Sequence, residues 1–258
     1  MGNKQEFLEI YRNFPCRTLP NAFWKTAARL SEAALDIVTS AEGELCKVSI
    51  WRQQGCLAFW CKDPSVEALD PANLDRLDFV LVHEGSLAVF EQAAFKQRQA
   101  YFRLCHTGPV RHQVCPAGFV FKNADPKEEV DEVAQYIQRC YSKIRVNPDI
   151  VRSWHTHPAY APELWVWMED ADTGEKAGLG IGEFDPEVPE ASLEWIQVLP
   201  EFQNQGLGSA IVAELLSRVK GRALFETVAG ELDNPKDPES LYRKCGFSGL
   251  DVWWYLAR

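Results

Sequence analysis

From residue 118 onward the spacing of apolar positions changes period repeatedly, and each change marks an element. GFVFKNAD (118–125) reads as a strand, after which Asp125-Pro126 opens a helix to about Tyr141 with acidic residues in its first turn. NPDIVRSW (147–154) predicts a shorter helix, with Pro148 suited to its first turn. LWVWM (164–168) sets Leu164, Val166 and Met168 against Trp165 and Trp167, the period of two that belongs to a strand. DADTGEK is a turn, AGLGIGEF (177–184) the returning hairpin strand, and SLEWIQV (192–198) the next strand. A helix over 208–219 follows, then the strand ALFETVA (223–229). Asp237-Pro238 caps a helix through Cys245, Gly246 ends it, and DVWWYLA (251–257) is a last strand. The order is β-α-α-β-β-β-α-β-α-β.

The first half predicts helices over EFLEIYRNF (6–14) and NAFWKTAARLSEAALDIVTSA (21–41), then a hairpin over 46–61 that turns near Gln54-Gly55. DFVLVHEG (78–85) is a strand, SLAVFEQAAFKQ (86–97) a helix and AYFRLCH (100–106) a strand. That order, α-α-β-β-β-α-β, repeats the middle of the second half, with VHEGSLAVF standing where VLPEFQNQGLG stands. Two readings are open: a degenerate copy of the second half, or an independent α/β lobe. The Pro109–Pro116 region is the expected linker, dividing a domain of residues 1–114 from one of 115–258. The fold class is α/β with a mixed sheet.

Composition narrows the function classes. The 258 residues carry a net charge of −10, and their Lys and Arg residues form no long basic block, which argues against nucleic acid as a partner. No apolar run approaches the ~20 residues of a membrane span. The N-terminal MGNKQE is too polar for a signal peptide and has Glu6 where a myristoylation signal needs Ser or Thr. The eight cysteines contain no CxxC pair, so reduced thiols in a cytoplasmic protein are expected. Cys105, His106, His112 and Cys115 match no zinc spacing, and no metal is predicted.

The most informative stretch is VLPEFQNQGLGSA (198–210). An apolar strand containing Trp195, Ile196 and Val198 meets Pro200, a glycine turn, and then the helical run SAIVAELLSRVK. A Walker loop would end in Gly-Lys-Ser/Thr; here Gly208 is followed by Ser209-Ala210, with no lysine. A dinucleotide fingerprint needs a third small residue after GxGxx, where this chain has Ile211. Gln203-x-x-Gly206-x-Gly208 fits a third template, Gln/Arg-x-x-Gly-x-Gly/Ala between strand and helix. With LYRKCGF (241–247) downstream, it resembles the acetyl-CoA-binding loop and second cofactor-side motif of the GNAT N-acetyltransferase superfamily, over roughly residues 118–258. The physical logic agrees. Glycines leave backbone N–H groups uncovered for a pyrophosphate, and the helix adds its N-terminal dipole, worth about 0.3–1 kcal/mol per charge.

The resemblance implies acetyl-CoA as cosubstrate, held by Gln203, Asn204, Gln205, Gly206, Leu207, Gly208 and Ser209. The backbone of Ile196 and Val198 would pair with the pantetheine arm, and Asn234 resembles an asparagine that some members use on that arm. It also implies direct attack by an amine in a ternary complex, with Tyr242 near the sulfur as proton donor to the thiolate. A lysine-like amine at pH 7 lies about 3.4 units below its pKa, so freeing its lone pair costs about 4.6 kcal/mol and calls for a base. Glu194, between Leu193 and Trp195, is the first candidate, with Glu226 and Glu183 behind it. His155 and His157 are either acceptor-pocket residues or surface residues at a helix end. Trp165, Trp167, Trp195, Trp253 and Trp254 are either core or an aromatic pocket wall. Only one strand follows Phe247 where the family commonly has two, so a final strand is either missing or supplied by the other half. The expected protein is a monomer or homodimer acting on an amine; the alternative is a non-catalytic acyl-CoA-binding module.

Overall fold

The computed structural model describes residues 4–66, 69, 74–110, 114–125, 127–141 and 144–258; His112, Pro126 and the middle of the expected linker lie outside this set. Two units emerge, and neither is one continuous stretch. The first comprises Met1–Cys105, Val228–Glu239 and Ser248–Arg258, and the second His106–Thr227 and Ser240–Phe247.

The first unit opens with α1 (Lys4–Asn13), the single helical turn α2 (Pro15–Thr18) and α3 (Phe23–Leu30). Phe7, Tyr11 and Phe23 are fully buried, and their ring centroids lie 5.6–6.5 Å apart. Five strands follow: β1 (Ala34–Thr39), β2 (Leu45–Arg52), β3 (Gly55–Cys61), β4 (Phe79–His83) and β5 (Gln97–His106). β1, β2 and β3 form an antiparallel meander, and β4 runs parallel to β3. Behind β3 and β4, Phe59 and Phe90 pack edge to face at 5.1 Å.

Three expectations for this half are corrected. The long helix predicted over 21–41 stops at Leu30: Ile37, Val38 and Thr39 are β-branched, and ALDIVT pairs with β2 instead. The helix predicted over 86–97 is 3-10 structure over Glu84–Phe90 only. The last strand of the chain, β11 (Ser248–Ala257), lies between β4 and β5, antiparallel to both, so the second half's closing strand belongs to the first unit. Trp253 anchors it there, fully buried with its indole N–H donating to the Cys16 carbonyl at 2.8 Å.

The second unit follows the predicted order closely. β6 (Phe119–Asn123), β7 (Trp165–Asp170), β8 (Lys176–Asp185) and β9 (Glu190–Val198) pair antiparallel in sequence. α4 (Val130–Cys140) begins later than expected because the Asp125 carboxylate accepts the amides of Lys127 and Glu128, a turn that precedes the helix. α4 and α5 (Pro148–Trp154) pack with Trp165, Trp167, Leu179 and Ile181. Against the opposite side of β8 lies α6 (Leu207–Val219). A Cβ at Gly178 or Gly180 would come within 2.7 or 2.4 Å of Ile211, so these two glycines let the helix lie on the strand. Burying a side chain such as Ile211 or Leu215 stabilises by roughly 1.5–3 kcal/mol. β10 (Phe225–Glu231) and α7 (Pro238–Lys244) each straddle the boundary between the units. Among the described residues, no helix is long and apolar enough to cross a membrane, and no group of three potential ligand side chains could hold a metal ion.

Candidate functional site

The glycine turn sits where β9 ends. Pro200–Phe202 makes one 3-10 turn, and the Gln203 side chain reaches back to donate to the Val198 carbonyl at 3.0 Å. Asn204 and Gly206 then adopt left-handed conformations, φ +64° and +82°, and α6 begins with Gly206 as its N-cap. Left-handed residues beside helical ones turn successive N–H groups to one side, an anion-binding concavity. Asn204, Gln205 and Gly206 are exposed, and nothing lies within 4 Å of where a Gly206 Cβ would stand. The first N–H groups of α6 have no partner within the helix, as at any helix start. Geometry and chemistry here fit a diphosphate.

The residues of the predicted cradle divide by task. The positive φ is required at Gly206, whereas Gly208 lies inside α6 and a Cβ there would make an ordinary 3.4 Å contact with Leu241. Leu207 is buried and anchors the turn, and the Ser209 carbonyl accepts from the Cys245 thiol at 4.0 Å. Gln203 braces the turn against the strand. Ile196 and Val198 are half-buried on β9 and paired on one side with Gly180 and Gly178. Asn234 belongs to the first unit, where its side-chain oxygen accepts the Lys236 amide at 3.0 Å.

Glu194 occupies an irregular position. Trp195 pairs with Ile181 and Leu193 with Gly182, so Glu194 is the extra residue of a β-bulge. It is half-buried, and Ser192 Oγ donates to its carboxylate at 2.8 Å. Tyr242, on α7, is buried, packs edge-on to Phe247 at 5.7 Å, and is held well above its usual pKa, chiefly by desolvation. Tyr141, Cys245 and Glu194 lie near enough for their negative forms to push the same way. The phenol therefore stays a proton donor throughout the neutral range.

The other candidates have structural attachments. Glu183 is buried; it accepts the Ala161 amide at 3.1 Å and has His157 Nε2 at 3.6 Å. His155 packs against Tyr160 and Trp165, and burial, with Lys127 nearby, lowers its pKa. Glu226 is buried and bonded to His106 Nδ1 at 2.7 Å; burial raises its carboxyl, which His106 partly offsets. That pair spans 120 positions of sequence, and no local pattern announces it. Trp165, Trp167 and Trp253 are core, while Trp195 is half-buried. Sequence reasoning also passed over Trp154 and Tyr141, which flank Trp195. Their positions at the ends of helices facing this strand were the available signal.

Comparison with known proteins is consistent with this geometry. Residues 161–249 match the acetyltransferase (GNAT) domain model. No curated protein sequence matches the chain. Among solved structures, the chain is similar to a GCN5-related N-acetyltransferase from Sphaerobacter thermophilus, with TM-score 0.63, 14% identity, and coverage of 86% of this chain and 79% of that one. An acetyltransferase from the GNAT family of Colwellia psychrerythraea gives TM-score 0.63 at 9% identity, covering 100% and 97%. A tandem GNAT protein from the clavulanic acid biosynthesis pathway gives 0.56 at 14% identity, covering 99% and 95%. The matched residues, 161–249, run from the approach to β7 through the glycine turn and α7 to the start of β11, so what is similar to a GNAT acetyltransferase domain includes the turn and Tyr242.

Proposed function

We propose that this chain is a cytoplasmic N-acetyltransferase that moves the acetyl group of acetyl-CoA to a primary amine by direct attack in a ternary complex. The observation that carries this reading is the turn at 204–206, where two left-handed residues and a helix start leave exposed amides for the pyrophosphate. Acetyl-CoA supplies the activated acyl carbon. The chain's own residues orient it and move protons.

Glu194 receives the proton of the attacking ammonium, directly or through a water, and Ser192 holds its carboxylate in place. The amine nitrogen forms a bond to the acyl carbon as the carbon–sulfur bond breaks. Tyr242 passes its hydroxyl proton to the departing sulfur, the nitrogen releases its second proton to water as the amide forms, and water reprotonates the phenol, whose raised pKa favours the protonated form at neutral pH. The interaction strengthens as charge builds on sulfur, so it lowers the barrier more than it tightens binding.

The test is acetyl-CoA turnover with a panel of primary amines, read by free-thiol release, alongside calorimetric titration with acetyl-CoA. Binding with amine-dependent thiol release supports the enzyme. Binding with no release from any amine leaves an acyl-CoA-binding module instead.

A further inference from the structure

The aromatic residues Tyr141, Trp154 and Trp195, near Glu194, pack against the core cluster yet keep part of their surface in water. Trp165 and Trp167, on β7, are fully enclosed under α4 and α5. Trp195 and Trp154 pack against the same cluster yet remain partly exposed, their rings stacked at 5.5 Å with only 25° between planes. Tyr141 meets Trp195 edge-on at 5.9 Å, and it is also one of the groups acting on Tyr242. Tyr141 thus links the aromatic group to the proposed proton donor.

Resting on the acetyl-transfer reading above, we propose that Trp195, Trp154 and Tyr141 form the platform that receives the acceptor, which is an amine carrying an aromatic ring on a short alkyl chain. Two observations specify that class. Flat stacked indoles present an edge and a face suited to another ring. Glu194 is the residue next to Trp195, and the bulge sets both against the same stretch of β8, so ammonium and ring bind a few bonds apart. Burial lowers the pKa of His155, adjacent to Trp154, which disfavours an opposing charge beside the platform.

The experiment uses the full chain with acetyl-CoA and compares 2-phenylethylamine, tyramine and tryptamine with butylamine and spermidine. The arylalkylamines should show kcat/KM at least about tenfold above the straight-chain amines. Trp195→Ala should shrink that ratio to below about threefold, mainly through KM, and Trp195→Phe should restore much of it; near-UV circular dichroism checks that each variant folds. Independently of turnover, 2-phenylethylamine should quench indole fluorescence saturably in the presence of CoA, and Trp195→Ala should abolish the effect. Equal turnover of butylamine and tryptamine, indifferent to Trp195→Ala, overturns the platform while acetyl transfer stands. Trp195-dependent quenching without turnover of any amine keeps the platform and removes the transferase reading. Absence of both quenching and arylalkylamine turnover overturns the proposal.

Discussion

The chain leaves an antiparallel meander twice, once after β3 and once after β9, and the two exits differ in what they can hold. After β9, residues 199–224 carry Gly206 in a left-handed conformation, exposed amides and the thirteen-residue helix α6. After β3, residues 62–78 lead to the parallel strand β4 without a single glycine, and they include Asp63, Glu67, Asp70, Asp75 and Asp78. The Asp63 carboxylate accepts the Ser65 amide at 3.0 Å, a bond that uses up an N–H group an anion would need. In its place directly after an antiparallel meander, this exit corresponds in chain order to the glycine turn, whereas VHEGSLAVF follows β4. VHEGSLAVF is closed too: the Gly85 amide donates to His83 Nδ1 at 3.1 Å. Strand pairing needs only extended apolar residues, whereas an anion cradle needs specific backbone angles and bare amides. A meander can therefore form with or without such a cradle at its exit.

The sharpest way to break this contrast is at Tyr242, which only the second unit offers. Tyr242→Phe should lower kcat by roughly 10²–10⁴-fold with acetyl-CoA affinity nearly unchanged, measured by single-turnover kinetics and calorimetry. Because burial pushes the phenol above its ordinary value, the parent protein's acetyl transfer should show no loss from tyrosine ionisation up to pH 9. Next in size is the loop itself. Gly206→Val should weaken acetyl-CoA at least tenfold, about 1.4 kcal/mol, since a β-branched residue resists φ +82° and covers the amides. Gly208→Ala, at a helical position with ordinary contacts, should change affinity less than about threefold. A loss at Gly208→Ala as large as at Gly206→Val would mean that the left-handed turn is not what binds.

Stoichiometry sharpens the comparison further. Titration should give one acetyl-CoA per chain, and a second equivalent protected at residues 62–90 would show that the first unit also binds. The smallest effect concerns stability of the second unit. Burial opposes ionisation of Glu129, but Lys176 at 2.8 Å and the Trp167 indole at 3.0 Å outweigh it and lower its pKa. A depressed folded-state value means that this contribution is present above the ordinary carboxylate pKa and is lost as pH falls through the folded one. Glu129→Gln should therefore reduce thermal stability slightly at pH 7 and make the decline toward pH 3 shallower. The carboxylate keeps part of its surface in water, so solvent screening keeps the change small.

The second half was legible because its signals are local. Alternation along β7, Asn147-Pro148 at the start of α5 and the glycine turn each act within a few residues, and each falls where the sequence predicts it. Reading failed where a local preference was overruled or where partners were distant. ALDIVT is amphipathic enough to extend α3, and only pairing with β2 makes it a strand. The bulge that sets Glu194 apart exists in register with β8, not in the sequence SLEWIQV.

By itself the sequence determined the element order of residues 118–258, the position of the glycine turn and the identity of Tyr242 and Glu194 as groups to watch, because periodicity, capping and glycine conformation are short-range properties. Tertiary structure alone decided that β11 completes the first unit, that His106 and Glu226 form a buried pair, and that Trp154, Trp195 and Tyr141 gather beside one carboxylate. Those outcomes depend on pairing and burial between residues far apart in the chain, where many alternative partners share the same local pattern and only the packed whole selects among them.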